Sequence, residues 1–419
     1  MTFKNQIFPS DKGKRNAVFI LLLVFCFPVV ALLNYCFEVK SGLISQGFRA
    51  MNLLISFILI YEFIKEKRYA IILPNFSLRY FLTAKGSFLL FIIFWIFYLI
   101  RMVIDLEFHQ IHEITLTPSS TGYFYLFTIG ITFIPMIAAA TISKIDFDYL
   151  NNILLFYLKV LCGVLFINFF FDKLYNNQIG YRYIVSRNGQ DYFDAISIAV
   201  YGGLLVLMSF LNLKKSKWNY PFIVIGVFLI LTTASRGPIL SILLSLIFIL
   251  FFIDKKVSIK YLYLLVSIAI ATVLNYLISV VFDKYFIAGN PLLHRLKNFN
   301  DDQSTVNRLK IIKDAVAQII EQPIFGSHFL VIESKMYAHN ILLDILVSTG
   351  FIGLILVIPA FLLFAKNTLI KSTIPFLSCL GIFLFLNAQI SGACYNMNEF
   401  WFIFVLIIFY KSQTLNSIK

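Results

Sequence analysis

Charged side chains are scarce in this chain of 419 residues. They make up 13% of the sequence, against about 25% in soluble globular domains. Acidic residues are the scarcer sign, 21 against 35 lysines and arginines. Hydrophobic residues reach 60%, and the mean hydropathy is +0.85. These proportions exclude a soluble globular protein and indicate an integral membrane protein.

Cysteine is also rare, and its spacing excludes two kinds of site. The five cysteines are Cys26, Cys36, Cys162, Cys379 and Cys394. Since no CxxC pair occurs, neither a cysteine zinc site nor a thiol redox motif is indicated. The first four lie in or beside apolar runs and are interpreted as packing residues, whereas Cys394 is left without a role. Internal repeats and low-complexity tracts are absent as well.

Residues at a spacing suited to binding a metal ion are also few. His109 and His112 stand three residues apart, but a zinc site needs at least three protein ligands. No third ligand follows nearby in the sequence. We therefore expect no metal and no other cofactor.

Long apolar runs dominate what is present. Runs of about 20 residues match the length of helix that crosses a bilayer, and continuous rather than alternating apolarity favours helices over a barrel. The sequence predicts an all-α, polytopic membrane domain over 1–419 with about twelve transmembrane helices. The predicted spans are Ala17–Phe37, Leu43–Ile64, Gly86–Ile104, Tyr123–Thr141, Leu150–Phe171, Ala195–Asn212, Asn219–Ala234, Pro238–Ile253, Tyr261–Phe282, Ile341–Ala365, Thr373–Ile390 and Glu399–Tyr410.

The net charge of +14 lies on one side of this arrangement. Alternate loops and both termini carry 20 of the 35 basic residues and only 6 of the 21 acidic ones, so the other side is neutral. An excess of lysine and arginine marks cytoplasmic loops. We therefore predict a multi-pass membrane protein with both termini in the cytoplasm. The positive charge is explained by orientation, and no nucleic-acid partner is expected.

The largest loop on the opposite side of the membrane is predicted at 283–338. Loops this long are usually functional or disordered, and its second half has helical periodicity from Ser304 to Ile320, with Pro323 ending the helix. Arg308 lies in the first turn, either as a ligand-binding cation or as a snorkelling surface residue. The predicted apolar stripe, which would lie on the membrane surface or cap the bundle, is Leu309, Ile312, Val316, Ile319 and Ile320.

Two further positions on this side of the membrane suit chemistry on a phosphorylated lipid. His339 stands where the loop becomes an apolar helix, and imidazole titrates near neutral pH. Asn340 either orients His339 or caps the helix. Arg236 lies at the tip of a very short hairpin, where its planar fork matches phosphate oxygens; the alternative is an interfacial anchor. Gly350 and Gly353 allow close packing.

A second segment on this side, Asp172–Asp194, contains Arg182 and Arg187 among tyrosines and asparagines. Aromatic and amide side chains suit sugar faces and hydroxyls. They suit a membrane interface equally well.

Taken together, these motifs resemble the O-antigen polymerase and ligase superfamily of bacterial membrane glycosyltransferases. The resemblance covers about Thr232 to Leu354 in order. It rests on the Ser235-Arg236-Gly237 hairpin, on Ser304 with Arg308, on Glu321-x-Pro-Ile-Phe-Gly326, and on His339-Asn340 followed by Gly350-x-x-Gly353.

This resemblance implies a glycosyltransferase-C-like fold and metal-free, inverting glycosyl transfer from undecaprenyl pyrophosphate at the periplasmic face of a bacterial inner membrane, where the loop at 283–338 would lie. It makes His339 the base that activates the acceptor hydroxyl and places Arg236 and Arg308 on the pyrophosphate. Arg187 is the counterpart of a further family arginine, and Arg182 and Asn340 are also expected to bind substrate. The family's acidic residue near the last span has Asn396 and Glu399 as its nearest candidates.

The favoured function is an O-antigen or related polysaccharide polymerase, whose donor and acceptor are both undecaprenyl-linked glycans in membrane lipid. A chain-length regulator protein is a further expected partner. One alternative is a ligase that transfers the glycan to lipid A core. Another, from a different class, is a transporter or flippase of the same lipid-linked sugar, for which Arg101 and Lys159, charged residues inside spans, are candidate functional residues.

Overall fold

The computed structural model describes residues 11–37, 42–66, 78–109, 121–175, 185–187, 190–213, 215–233, 235–252, 268, 303–370 and 374–416. The helices within these ranges are α1 Lys12–Phe25, α2 Phe27–Phe37, α3 Gly42–Glu66, α4 Leu78–Phe81, α5 Ala84–Val103, α6 Thr121–Tyr125, α7 Ile134–Thr141, α8 Phe147–Tyr175, α9 Ala195–Leu211, α10 Tyr220–Thr233, α11 Arg236–Phe252, α12 Gln303–Glu321, α13 Ile341–Ala365, α14 Pro375–Ser391 and α15 Asn398–Asn416. Helical turns of the π type continue α5 over Ile104–Phe108, join α6 to α7 over Leu126–Phe133 and extend α13 over Lys366–Ile370.

Five of the described helical segments are long and apolar enough to cross a membrane, as judged from length and composition. These are Gln46–Glu66, Ala84–Phe108, Thr121–Thr141, Phe147–Phe170 and Ile341–Leu369. The pair α1 and α2, bent by 60°, would make a sixth, and five further apolar helices are shorter, at 10–17 residues. These helices overlap the predicted spans except the ninth, Tyr261–Phe282, of which the structure describes residue 268 alone. The number of twelve crossings stays a prediction.

The chain divides into two compact units. The first comprises Met1–Phe48, Lys144–Asp302 and Ile374–Phe383, and the second comprises Arg49–Ser143, Gln303–Thr373 and Leu384–Lys419. The prediction of one membrane domain over 1–419 stays a prediction.

In the first unit, α9 and α10 pack with their backbones in close approach. A Cβ placed on Gly226 would come within 2.6 Å of the carbonyl oxygen of Gly202, so only glycine fits there. The neighbouring α8 is joined to this pair by polar contacts. Asn151 Nδ2 donates to Asn212 Oδ1 at 2.8 Å, and Lys159 Nζ donates to Asn219 Oδ1 at 2.7 Å.

The described residues are almost entirely helical, as the all-α prediction requires, with one exception in this unit. Val185–Arg187 and Gln190–Phe193 form a two-stranded antiparallel sheet, β1 and β2, in which Arg187 pairs with Gln190. The dipeptide between the strands is Asn188-Gly189, the strongest short-range signal for a hairpin. The local sequence therefore favours this hairpin independently of the apolar runs.

In the second unit, aromatic side chains fill the interior where α5, α13 and α15 pack together. The rings of Trp95 and Trp401 are 5.7 Å apart, and both side chains are fully buried. Trp401 Nε1 donates to the carbonyl of Cys394 at 3.1 Å, which satisfies the polar atom of this large side chain. The packing holds the ends of these helices in fixed positions beside the loop that follows α12.

The amphipathic helix of the large loop is confirmed as α12, which ends at Glu321 just before Pro323. The side of α12 that packs on the protein differs from the predicted apolar stripe. Ile311 and Ala315 are buried against Val331, Ala338 and Val347. Most of the predicted stripe is exposed instead, and a second apolar side of the helix thus faces outward: Val306, Leu309, Ile312, Val316 and Ile320.

Candidate functional site

The candidate site lies in the second unit, where the loop between α12 and α13 meets the end of α14. The loop begins with a turn at Pro323–Gly326 that docks on α13. Phe351 N donates to the carbonyl of Pro323 at 2.8 Å, and Ser327 N donates to that of Val347 at 2.9 Å. Arg101, near the end of α5, donates through Nη2 to the carbonyls of Phe325 and Gly326 at 3.4 and 3.3 Å. The turn is thus held from two sides.

Gln318 on α12 supports the next part of the loop. Its Nε2 donates to Ser327 Oγ at 2.8 Å and to the carbonyl of Leu330 at 3.1 Å. Its Oε1 accepts from Ile332 N at 3.1 Å. One amide side chain therefore forms three bonds to the loop, which allows the loop to hold a defined conformation up to His339.

His339 stands at the end of this loop in an unusual backbone conformation. Its φ is +55°, a left-handed value that side chains other than glycine rarely adopt. The ring lies 4.2 Å from that of Tyr337. Within the described part of the chain, the buried Nδ1 of His339 has no hydrogen-bond partner. Strained residues of this kind cluster at functional sites, where the surrounding structure holds them in place.

The charge state of His339 follows from its surroundings. Burial, and secondarily the positive charge of Arg308, lower the pKa of His339 from 6.5 to about 4. Both effects disfavour the protonated ring. At neutral pH the imidazole is therefore uncharged and able to accept a proton.

Arg308 and Asn340 both bond to the last turn of α14. Arg308 Nη1 donates to the carbonyl of Ile390 at 3.3 Å, and Nη2 donates to Ser391 Oγ at 3.4 Å. Asn340 Nδ2 donates to the carbonyl of Gln389 at 2.9 Å. A helix C-terminus presents carbonyls without helical partners and favours cations. The last turn of α14 thus fixes Arg308 near His339.

Asn340 was predicted either to orient His339 or to cap the following helix, and in the structure it caps the helix. Asn340 precedes α13, and its Oδ1 accepts from the backbone N–H groups of Leu342 and Leu343, both at 3.0 Å. Since Oδ1 and one N–H of Nδ2 are engaged, substrate binding by this side chain would use its remaining N–H. That role stays a prediction.

Asp344, one turn into α13, is a residue that sequence reasoning missed. It is fully buried, and its Oδ2 accepts from Cys394 N at 2.8 Å. The contact ties the start of α13 to the Cys394–Asn396 turn that precedes α15. Position 344 lies inside an apolar run, and the separation of 50 residues left no local signal of this pairing.

The other predicted site residues are distributed over both units. Arg236, half-buried, is the first residue of α11 in the first unit. Arg187 lies on β1, also in the first unit, and Arg182 falls outside the described residues. Glu399 is half-buried in the first turn of α15. The geometry therefore brings together His339, Arg308 and Asn340.

The two intramembrane cations behind the transporter alternative have protein partners. Arg101 bonds to the carbonyls of the Pro323–Gly326 turn and Lys159 to the amide of Asn219. Both contacts join elements within one unit. They give each cation a structural role that does not require transport.

The fold is that of a helical membrane protein. Its candidate site consists of His339, Arg308 and Asn340, the residue that caps α13. A family model described as O-antigen ligase matches residues 221–358. The match includes Arg236, Arg308, His339 and Asn340, and it confirms the resemblance to the O-antigen polymerase and ligase superfamily. Proteins of this family are membrane glycosyltransferase-like enzymes, and the match fits a polymerase and a ligase alike. No curated protein and no solved structure matches the chain.

Proposed function

We propose that the protein is a membrane glycosyltransferase that transfers a glycan from undecaprenyl pyrophosphate to an acceptor hydroxyl, with His339 as the base. The observation that carries the proposal is the neutral, buried imidazole of His339 beside Arg308. A sugar hydroxyl is a weak nucleophile until its proton can be transferred, and a positioned base contributes about 10²–10⁴-fold to such a step.

In the proposed step the acceptor oxygen attacks the anomeric carbon and inverts it. The bond from that carbon to the pyrophosphate oxygen breaks, and its electron pair leaves with undecaprenyl pyrophosphate. The hydroxyl proton passes to His339. No metal is required at the reacting carbon, because the leaving group's negative charge is stabilised by arginine side chains placed in advance.

Arg308 links the charge of the donor to the basicity of His339. Its positive charge contributes to the low pKa of His339. A bound pyrophosphate would offset that charge, so the pKa of His339 would rise toward its ordinary value once the donor is in place. The base would become stronger in the complex in which a proton must be taken up.

Arg236 is proposed as the second pyrophosphate-binding arginine. It opens α11, and the free N–H groups of a helix N-terminus favour a negatively charged ligand. Its planar guanidinium matches the oxygens of a phosphate, which suits a pyrophosphate bound beside this helix end.

The exposed apolar side of α12 fits a lipid-linked substrate. Leu309 and Ile320 are 62% and 72% exposed, and Arg308 lies on the same helix. Apolar side chains next to a cation are suited to the boundary between acyl chains and headgroups. We propose that α12 lies at the periplasmic membrane surface. Reporter fusions should read periplasmic at Asn300 and cytoplasmic at Lys215 and Lys256; the opposite result would place Arg236 on the wrong face.

Polymerase is the favoured activity, with an undecaprenyl-linked repeat unit as acceptor and a chain-length regulator as partner in the inner membrane. The neutral periplasmic side inferred from the sequence offers no platform for an anionic lipid A core. Ligase is the second candidate, because the matching family model is described by that activity. Both use the same donor and the same site.

Purified protein with defined lipid-linked substrates tests these functions directly. Ladders formed from lipid-linked repeat units alone would establish a polymerase, whereas transfer that requires lipid A core would establish a ligase. Movement of intact donor across vesicles, with no new glycosidic bond, would refute glycosyl transfer and favour a flippase.

A further inference from the structure

Three side chains outside the proposed site converge at the end of α5. Asp105 lies in the π-helical turn that continues α5, His109 follows that turn, and His328 lies in the loop after α12. Asp105 Oδ1 is 3.1 Å from His109 Nδ1 and 2.9 Å from His328 Nδ1. The three ligand atoms all lie within 4.8 Å of one another.

The local backbone explains why these groups meet. In the π turn His109 N donates to the carbonyl of Ile104 at 3.3 Å, and the side chains of Asp105 and His109, four residues apart, point the same way. Phe329 N donates to Asp105 Oδ2 at 2.7 Å. That bond fixes the carboxylate and leaves Oδ1 directed at both imidazoles. Turns of the π type occur frequently at functional sites.

We propose that Asp105, His109 and His328 form a binding site for a divalent zinc-like ion. Two imidazole nitrogens and one carboxylate oxygen make a common zinc ligand set, with water in the fourth position. Zinc bonds of about 2.0–2.2 Å in a tetrahedron would separate the ligand atoms by roughly 3.3 Å. The observed 2.9 and 3.1 Å lie a few tenths of an ångström below that separation, so Asp105 Oδ1 already lies near the spacing from each imidazole that a shared ion would impose.

The buried carboxylate of Asp105 is the feature that a bound cation would explain. Asp105 is fully buried, and a buried charge is costly unless it is paired. Among the residues that the structure describes, the two histidines are the groups that pair with this carboxylate. A divalent ion would neutralise the carboxylate and use the same two nitrogens.

The site would act on the loop and not in the glycosyl transfer. His328 lies at the start of the segment that ends at His339, and Asp105 belongs to the continuation of α5. An ion there would tie the two elements together, because its ligands come from both of them. The inference is independent of the proposed function, since it concerns metal binding by the folded chain.

Cobalt titration of the full-length protein tests the site. The protein is purified in detergent without a histidine tag, stripped of metal, and titrated with Co²⁺, whose visible absorption reports ligation. We expect one bound ion per chain that Zn²⁺ displaces. His109→Ala should lower the Co²⁺ affinity by at least about tenfold, since altering even a group that only supports a ligand costs about 10–100-fold. The His109 side chain is 47% exposed, so among substitutions of the three ligands this one should disturb folding least.

Glu107→Gln is the matched control. Glu107 lies on the same π turn and accepts a bond from the Tyr125 hydroxyl at 2.8 Å, so its loss removes a nearby negative charge without touching the three ligands. Its Co²⁺ affinity should equal that of the unmodified chain. His328→Ala should behave like His109→Ala. Absence of stoichiometric Co²⁺ and Zn²⁺ binding, or equal affinity in both histidine variants and the control, would overturn the proposal and leave a hydrogen-bonded cluster.

Discussion

Gly326 and Gly350 touch through their backbones. A Cβ on Gly350 would lie 2.6 Å from the nitrogen of Gly326, and the two residues have φ values of +63° and +67°. Gly350 also interrupts the regular conformation of α13. Glycine is therefore required at these positions for two reasons: the left-handed backbone and the close contact between the two residues. At this contact the loop that leads to His339 packs against α13.

Gly350→Ala should destabilise the protein by about 1–3 kcal/mol from the left-handed backbone alone, with the steric clash adding to this cost. The control is Gly163→Ala on α8, where a Cβ would meet nothing within 4 Å. Thermal unfolding in detergent measures both. Equal melting temperatures for the two variants would contradict the close approach of Gly326 and Gly350.

His339→Gln should lower kcat by about 10²–10⁴-fold while leaving binding of the lipid-linked donor nearly unchanged, because glutamine hydrogen-bonds but does not take up a proton at neutral pH. The assay is ladder formation by purified protein. His294→Ala, at another histidine of the large loop that lies outside the described residues, is the comparison and should keep its activity. Robust ladders from His339→Gln would reduce His339 to a positioning residue.

Arg308→Lys should damage activity nearly as much as Arg308→Ala, since lysine keeps the charge but lacks the planar fork that reaches both Ile390 and Ser391. Arg236→Lys should behave in the same way if it holds the pyrophosphate. Lys310→Ala removes an exposed cation from the same helix and should be mild. Full activity of both lysine variants would show that charge alone is sufficient.

Stability should depend on pH through His339. The pKa of His339 is lowered from 6.5 to about 4, so between these values the unfolded chain binds more protons than the folded one. The contribution of His339 to the free energy of unfolding is therefore fully present above about pH 6.5 and is lost as the pH falls toward 4. In His339→Gln this loss should disappear, making the melting temperature less sensitive to acid over that window. Parallel curves for the two proteins would contradict the lowered pKa.

Asn340→Ala should cost about 1 kcal/mol of stability, because it removes the cap of α13. Asn340→Asp keeps the oxygen that caps the helix but loses the Nδ2 donor to Gln389. The melting temperature of Asn340→Asp should stay close to that of the unmodified protein. Reduced donor binding by the aspartate variant would then isolate the role of the amide; unchanged binding would confine Asn340 to the cap.

Local sequence patterns were sufficient for the helices and for part of the site. Apolar runs located the described spans because a helix in lipid needs a continuous stretch of apolar residues. The period from Ser304 to Ile320 and the stop at Pro323 located α12 because both signals lie within one helix. Asn188-Gly189 would have located the hairpin by the same kind of local rule.

Only the tertiary structure decided which groups meet across the chain. Periodicity showed that α12 was amphipathic, but its apolar residues lie on two sides, and packing against Val331 and Val347 selected Ile311 and Ala315. Asp105 and His328 are separated by 223 positions, and Asp344 and Cys394 by 50. No local pattern encodes such pairs, because they depend on how the ends of separate helices are brought together. The sequence by itself determined the helices and the motif around His339, whereas packing determined its charge state and its neighbours.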